Sequence, residues 1–163
     1  LIKDQDSVGA KILVRINGLM PGVGSPVFSK LDAELAKAMM GVNAVKAVEI
    51  GAGANVVSMR GSGNRDLMVK AGFLSNNSGG ILGGISNGED IDIYVSLKAT
   101  SSISQKTTTV NKDNEEVDLQ VKGRHDPCVG LRAAPILEAM AALCILDQVL
   151  LDKGQCFNVD RDS

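Results

Sequence analysis

The stretch from Arg132 to about Leu151 restricts the fold of this chain more than any other. Ile136, Leu137, Met140, Leu143, Cys144, Ile145, Leu146, Val149 and Leu150 place apolar groups almost all the way round a helix. Pro135 is expected in its first turn, where a missing N–H is tolerated. At about 1.5 Å per residue, ~20 residues span roughly 30 Å, the width of a small domain. A helix this apolar is expected to be buried on most sides.

The strands that could cover it are legible from alternation. Ala10, Ile12, Val14 and Ile16 share one face of a strand over Ala10–Gly18, with Lys11, Leu13, Arg15 and Asn17 on the other. Asp90–Lys98 alternates more cleanly, with Ile91, Ile93, Val95 and Leu97 inward. Ala44–Gly51 and Ala54–Gly61 read as short strands. Residues 107–122 read as a hairpin turning around Lys112–Asn114, with Val117, Leu119 and Val121 on one face.

A second helix is expected from about Pro26 to Met40, where Val27, Leu31, Leu35, Ala38, Met39 and Val42 recur at helical spacing. Ser25 is its expected N-cap and Pro26 its first position. Asp32 and Glu34 early and Lys37 late suit the helix dipole. Residues 62–90 are rich in Gly, Ser and Asn and read as a long functional or mobile loop rather than a packed element. The polar tail over 154–163 is expected to fray. The layout is α+β, with too little crossover periodicity for a doubly wound sheet.

Composition excludes several classes. A net charge of −2 argues against nucleic acid or an anionic membrane as the main partner. No apolar run is expected to reach bilayer-crossing length, and the start shows no signal-peptide pattern. One histidine and three cysteines without ligand spacing argue against a metal site. The thiols are expected to be reduced, as in a cytoplasmic protein. The chain begins without Met and enters a strand almost at once, so it reads as a C-terminal piece of something longer.

Three stretches hold the candidate chemistry. In Ser75–Gly88, "SNNSGGILGGISNG", the glycines permit close backbone approach to a ligand. A dinucleotide fingerprint fails because a strand follows where a helix is needed, and the P-loop Gly-Lys-Ser/Thr is missing. A flexible surface loop is the alternative. "KATSS", Lys98–Ser102, combines one cation with three hydroxyls that could hold a phosphate. It could equally be a solvated strand end.

"GRHDPCVGLRAAPILEAM", Gly123–Met140, gathers the lone histidine, two arginines and an aspartate at the mouth of the apolar helix. Arg124 and Asp126 could pair with each other, although exposed pairs contribute only ~0–1 kcal/mol. A ligand anion facing Arg124 and Arg132 near the helix N-terminus would gain more. His125 reads as well as a hydrogen-bonded structural residue as a site residue. Cys128 reads as packing rather than nucleophile, since no second histidine exists to activate it.

Four stretches, in this order, resemble the bacterial form of chorismate synthase: residues 16–51, residues 75–88, "LKATSSI" at 97–103 and "GRHDPCVGLRAAPILEAMAAL" at 123–143. The resemblance runs from about Asp6 to Leu151. It implies the C-terminal half of a β-α-β sandwich, with long helices packed on antiparallel sheets and residues 1–163 forming one fragment without the N-terminal half. The implied reaction is a 1,4-trans elimination of phosphate from 5-enolpyruvylshikimate 3-phosphate to give chorismate, the last step of the shikimate pathway in aromatic amino-acid biosynthesis. It requires reduced FMN, supplied in some relatives by an NADPH-dependent flavin reductase activity. A cytoplasmic homotetramer is implied, with no nucleic acid, membrane or metal partner.

By position, the resemblance assigns Asn43, Ala44, Gly83, Lys98, Ala99, Thr100, Ser101, Ser102 and Arg124 to flavin binding, and Arg124 also to substrate. Asp126 falls where a proton-transfer partner of the flavin is expected. Ala99 stands where the family usually has Pro, and Asn77-Ser78 where it often has His-Ala. The family's catalytic histidines belong to its N-terminal half, so the chain alone is expected to be inactive and to bind flavin more weakly than a full-length enzyme. A non-catalytic flavin- or phosphate-binding or assembly module on the same scaffold is the alternative.

Overall fold

The structure is a computed structural model and describes residues 1 and 3–156. In chain order the elements are β1 (Ala10–Ile16), α1 (Leu31–Met40), β2 (Val45–Ile50), a 3-10 helix (Gly53–Ser58), the one-turn α2 (Gly61–Asn64), and the two-residue strands β3 (Met68–Val69), β4 (Gly72–Phe73), β5 (Ile81–Leu82) and β6 (Ile85–Ser86). Then come β7 (Ile91–Leu97), β8 (Thr107–Val110), β9 (Glu116–Leu119) and α3 (Gly130–Gln155).

The main sheet has order β1-β7-β2, with both pairings antiparallel. β7 is its centre, and its period-2 pattern becomes a strict alternation in which Ile91, Ile93, Val95 and Leu97 are all buried. A register shift between Val45 and Ala47 lets β2 bend away from its partner. The opposite face is polar. Arg15 donates to both carboxylate oxygens of its cross-strand neighbour Asp92, at 2.6 and 2.8 Å, and Lys11 pairs with Glu49 while lying over the Tyr94 ring. A one-residue slip would bring those charges inside, so the pattern fixes the register.

α1 and α3 lie side by side on the apolar face, α1 against β2 and α3 against β1. The core joins Leu31, Leu35 and Met39 of α1, Leu137 and Ala141 of α3, and the four inward residues of β7. α3 approaches β1 through small residues, so closely that a Cβ at Gly130 would collide with the Ala10 Cβ. The architecture is therefore α+β, with helices packed on one face of an antiparallel sheet.

Several sequence-based expectations are corrected. α1 starts at Leu31, not Pro26. Ser25 and Ser29 exchange backbone hydrogen bonds at 3.1 Å each, and the reversal between them puts Val27 at φ 81° on the surface. The helix is instead started by the Leu31 N–H donating to the Gly84 carbonyl. The strand expected over Ala54–Gly61 is helical, because Gly51 and Gly53 at positive φ turn the chain off the sheet and Glu49 Oε1 receives the Ala54 N–H.

Residues 62–90 are not a plain loop. They fold into two miniature ladders, β3-β4 and β5-β6, with Ile81 and Ser86 buried. The hairpin β8-β9 forms where expected, with every residue of its two strands exposed.

α3 starts earlier than Arg132, so Pro135 falls in its second turn, where it removes the bond to the Leu131 carbonyl. The helix is also not covered on most sides. Gly130, Ala133, Leu137, Ala141 and Gln148 form one buried stripe, while Leu131, Leu143, Leu146 and Leu150 are exposed. By length and composition alone α3 is apolar enough to cross a bilayer, contrary to the expectation that no run reaches that length. Its buried stripe packs on α1 and β1. The chain exposes 10,931 Å², against about 7,700 Å² for a compact monomer of its mass. Of the expected fraying tail, Gly154 and Gln155 belong to α3, and 157–163 lie outside the described residues.

Candidate functional site

One end of the molecule gathers segments that are distant in sequence. The turn leaving α1 holds Ala44 in the left-handed region at φ 70°, a conformation that costs an alanine about 1 kcal/mol. The Ala44 carbonyl accepts the Lys98 N–H at 2.8 Å, just past the end of β7. Asn43–Ala44 and Lys98–Ser102 are thereby adjacent.

The segment leading into β1 ties in a third piece. Ser7 Oγ donates to the Thr100 carbonyl at 2.6 Å, and the Val8 N–H donates to the Pro127 carbonyl at 2.8 Å. Gly9 fits where a Cβ would stand 2.5 Å from the Leu97 carbonyl oxygen, so only a residue without a side chain can pass there. Ser7–Gly9 thus fastens residues 97–100 to residues 127–128, and the three form one rim.

Beside the rim, meeting it at Leu97, runs a groove of about 830 Å³ between α1 and α3; of the expected site residues Asn43 and Ala44 line it, while Lys98–Ser102, Arg124 and Asp126 do not. Asn43, Ala44, Leu97, Val129 and Arg132 line its end, and Ala38, Val42 and Met140 continue its wall. Cys144 also lines it, and burial, with smaller contributions from Glu34 and Asp147, pushes its thiol up, which keeps it protonated and unreactive at neutral pH.

Charge on the rim is unevenly paired. Asp126 Oδ2 lies 3.4 Å from Arg132 Nε, so the aspartate pairs with the helix arginine rather than with Arg124. Lys98 and Arg124 are exposed and have no salt bridge among the described residues. Ser101 and Ser102 are exposed and Ala99 half-buried. Two buried side-chain atoms here, Thr100 Oγ1 and His125 Nε2, have no hydrogen-bond partner among the described residues.

Gly83 stands apart from this rim. The adjoining Gly84 bonds to the start of α1, whereas Asn43 and Ala44 follow its end. Ten helical residues, about 15 Å, separate the two. Gly83 is exposed at φ 64°, and a methyl group in place of its hydrogen would meet nothing within 4 Å.

The glycine-rich stretch is instead organised by a residue that sequence reading passes over. Asp66 accepts Ser75 Oγ at 2.6 Å and the Asn77 and Ser78 N–H groups at 2.8 Å each. Burial pushes its carboxyl up, but these hydrogen bonds outweigh that and hold it down at about 2, from an ordinary 3.8. Asn76 closes the loop further, receiving the Gly80 N–H at 2.7 Å and donating to the Asp90 carbonyl at 2.8 Å. An aspartate nine to twelve residues before its partners carries no sequence signal. The Ser7–Gly9 clasp has only one hint, a glycine just before a strand. No cluster of potential metal ligands occurs among the described residues.

A family model described as chorismate synthase matches residues 1–150. A solved structure titled "Crystal Structure of Chorismate Synthase" superposes with a TM-score of 0.74 at 28% identity. The match covers 94% of this chain and 40% of that one, so the chain spans about two fifths of that relative's length.

Proposed function

The chain belongs to the chorismate synthase family, and from that premise we propose that it is part of a carbon–oxygen lyase. The reaction proposed is the elimination of phosphate from 5-enolpyruvylshikimate 3-phosphate to give chorismate, in aromatic amino-acid biosynthesis. The observation that carries this reading is the rim, where the Ala44–Lys98, Ser7–Thr100 and Val8–Pro127 hydrogen bonds tie together four sequence-distant stretches beside the groove.

The donors on the rim suit a flavin mononucleotide. Lys98 and Arg124, without a salt bridge among the described residues, would together with the Thr100, Ser101 and Ser102 hydroxyls suit a phosphate. The bare Thr100 Oγ1 marks a polar position still needing a partner. Reduced FMN, when bound, would lend an electron transiently and take up a proton. Asn43 and Ala44 would hold its flank through a backbone already fixed by Lys98, and Arg124 would attract the anionic substrate. Asp126 would hold a proton at a carboxylate oxygen whose direction Arg132 sets. Gly83, about a helix length away, would contribute through a separate contact.

Because the chain spans two fifths of its relative, we propose that alone it binds flavin weakly and turns nothing over. A cytoplasmic homotetramer, with NADPH as a source of reducing power in some relatives, belongs to the same reading and is supported by the family resemblance alone. The test uses a longer protein containing this sequence. Reduced FMN and the enolpyruvyl substrate are added and chorismate absorbance is followed. Turnover is expected, with Arg124→Ala and Asp126→Asn lowering it at least a hundredfold. Turnover untouched by both substitutions would favour a non-catalytic module, and no product at all would remove the reading.

A further inference from the structure

We propose that His125 is a ligand-binding residue, its Nε2 forming with the Thr100 hydroxyl a subsite for a phosphoryl oxygen. The inference rests on the reading above but adds a residue and a ligand atom to it. Native structures seldom leave buried polar atoms bare unless a water or a ligand meets them. Here two are bare, on different segments of one rim. Thr100 is held by Ser7, and Pro127, two residues after His125, is held by Val8. Neighbouring Cα atoms are about 3.8 Å apart, so the two carbonyls gripped by this pair lie within about 10 Å of each other. The other bare atoms, on Asn64 and Asn87, belong to the glycine-rich region.

The chemistry of the pair selects the partner. A threonine hydroxyl rotates to donate, and an imidazole Nε2 donates in one neutral tautomer and in the cation. Two donors flanked by the unpaired Lys98 and Arg124 suit an oxygen bearing negative charge. A phosphoryl group offers three such oxygens, enough to engage Ser101 and Ser102 as well. Residues 98–104 and 121–128 form no helix or ladder, so side chains there can turn to meet the oxygen while the backbone clasp stays in place. The phosphoryl group could come from the flavin or from the substrate, and the experiment separates the two.

His125 is the only histidine in the chain, so its ring nitrogens give single, self-assigned NMR signals. The chain carrying 15N-histidine is titrated at fixed pH and ionic strength with inorganic phosphate, FMN and riboflavin, with flavin fluorescence followed in parallel. The Nε2 signal is expected to move saturably with phosphate and FMN and to stay put with riboflavin. Thr100→Val should weaken the phosphate response roughly tenfold or more, with circular dichroism unchanged. His125→Gln, which keeps a donor, should retain more of the FMN affinity than His125→Ala.

A shift with phosphate but no FMN quenching supports the subsite, assigns it to the substrate's phosphoryl group and counts against flavin binding. Quenching of FMN with an unmoved Nε2 overturns the inference and leaves the flavin reading intact. An equal shift with riboflavin, or no shift with any of the three, also overturns it.

Discussion

Replacing Asp66 with Asn tests how the glycine-rich region is held. The carboxylate accepts three short hydrogen bonds, two from backbone N–H groups. An amide keeps one acceptor oxygen and turns the other into a donor facing an N–H. The fall in pKa from 3.8 to about 2 measures the preference of this pocket for the charged form. At roughly 1.4 kcal/mol for each tenfold change in proton affinity, that preference has a ceiling of about 2.5 kcal/mol. Asp66 is partly open to solvent, so screening reduces the expected contribution to about 1 kcal/mol.

The sign follows from the direction. The folded state lowers the pKa, so the stabilisation is fully present above the unfolded value near 3.8. It is lost as pH falls through about 2. Urea unfolding of wild type and Asp66→Asn, followed by circular dichroism at pH 7, 4, 3 and 2, reads this directly. The variant should be less stable by about 1 kcal/mol at pH 7, and the gap should narrow between pH 4 and pH 2. A gap that stays constant over that window would refute the argument, because the charge would then contribute nothing.

Leu137→Ala removes a fully buried side chain at the α3 contact and should cost about 2–5 kcal/mol in denaturant unfolding; a loss below ~1 kcal/mol would mean the helix is not seated as described. Gly130→Ala should destabilise by about 1–3 kcal/mol through collision with Ala10, whereas Gly154→Ala, with open space around it, should leave stability unchanged or raise it by up to ~1 kcal/mol. The same chemical change giving the same sign at both positions would contradict the close approach of α3 to β1. The excess exposed area and the apolar outer stripe of α3 lead us to expect self-association of this chain; light scattering showing a clean monomer at high concentration would contradict it.

What the sequence reveals and what it hides follow from the range of the interactions involved. β7 is legible because alternation is local and its consequence, two faces of opposite polarity, is intrinsic to a strand. Val27 misleads because one residue at φ 81° breaks a helical periodicity that its side chain otherwise continues. The expectation for α3 has the right helix and the wrong surroundings: composition says that its sides are apolar, not what this chain can bring to cover them. At the rim, residue types flag Lys98, Arg124 and Asp126. Their neighbours come from backbone hydrogen bonds spanning most of the chain, which no spacing rule encodes. Asp66 escapes notice because a single aspartate in a polar stretch looks like any other until the N–H groups around it are counted.

The Ser7–Thr100 contact bridges residues 93 apart in sequence, and Val8 reaches further still, to Pro127. The β1–β7 ladder already sets Ala10 opposite Leu97, so the closure entropy of the Ser7–Thr100 contact falls mainly on the sheet, and the clasp forms once that ladder is in place. During synthesis, which runs from the N-terminus, Ser7–Gly9 waits while β1, α1, β2 and β7 are made before its last partner leaves the ribosome. The rim is therefore expected to be among the last parts of this chain to assemble, after the sheet it stands on.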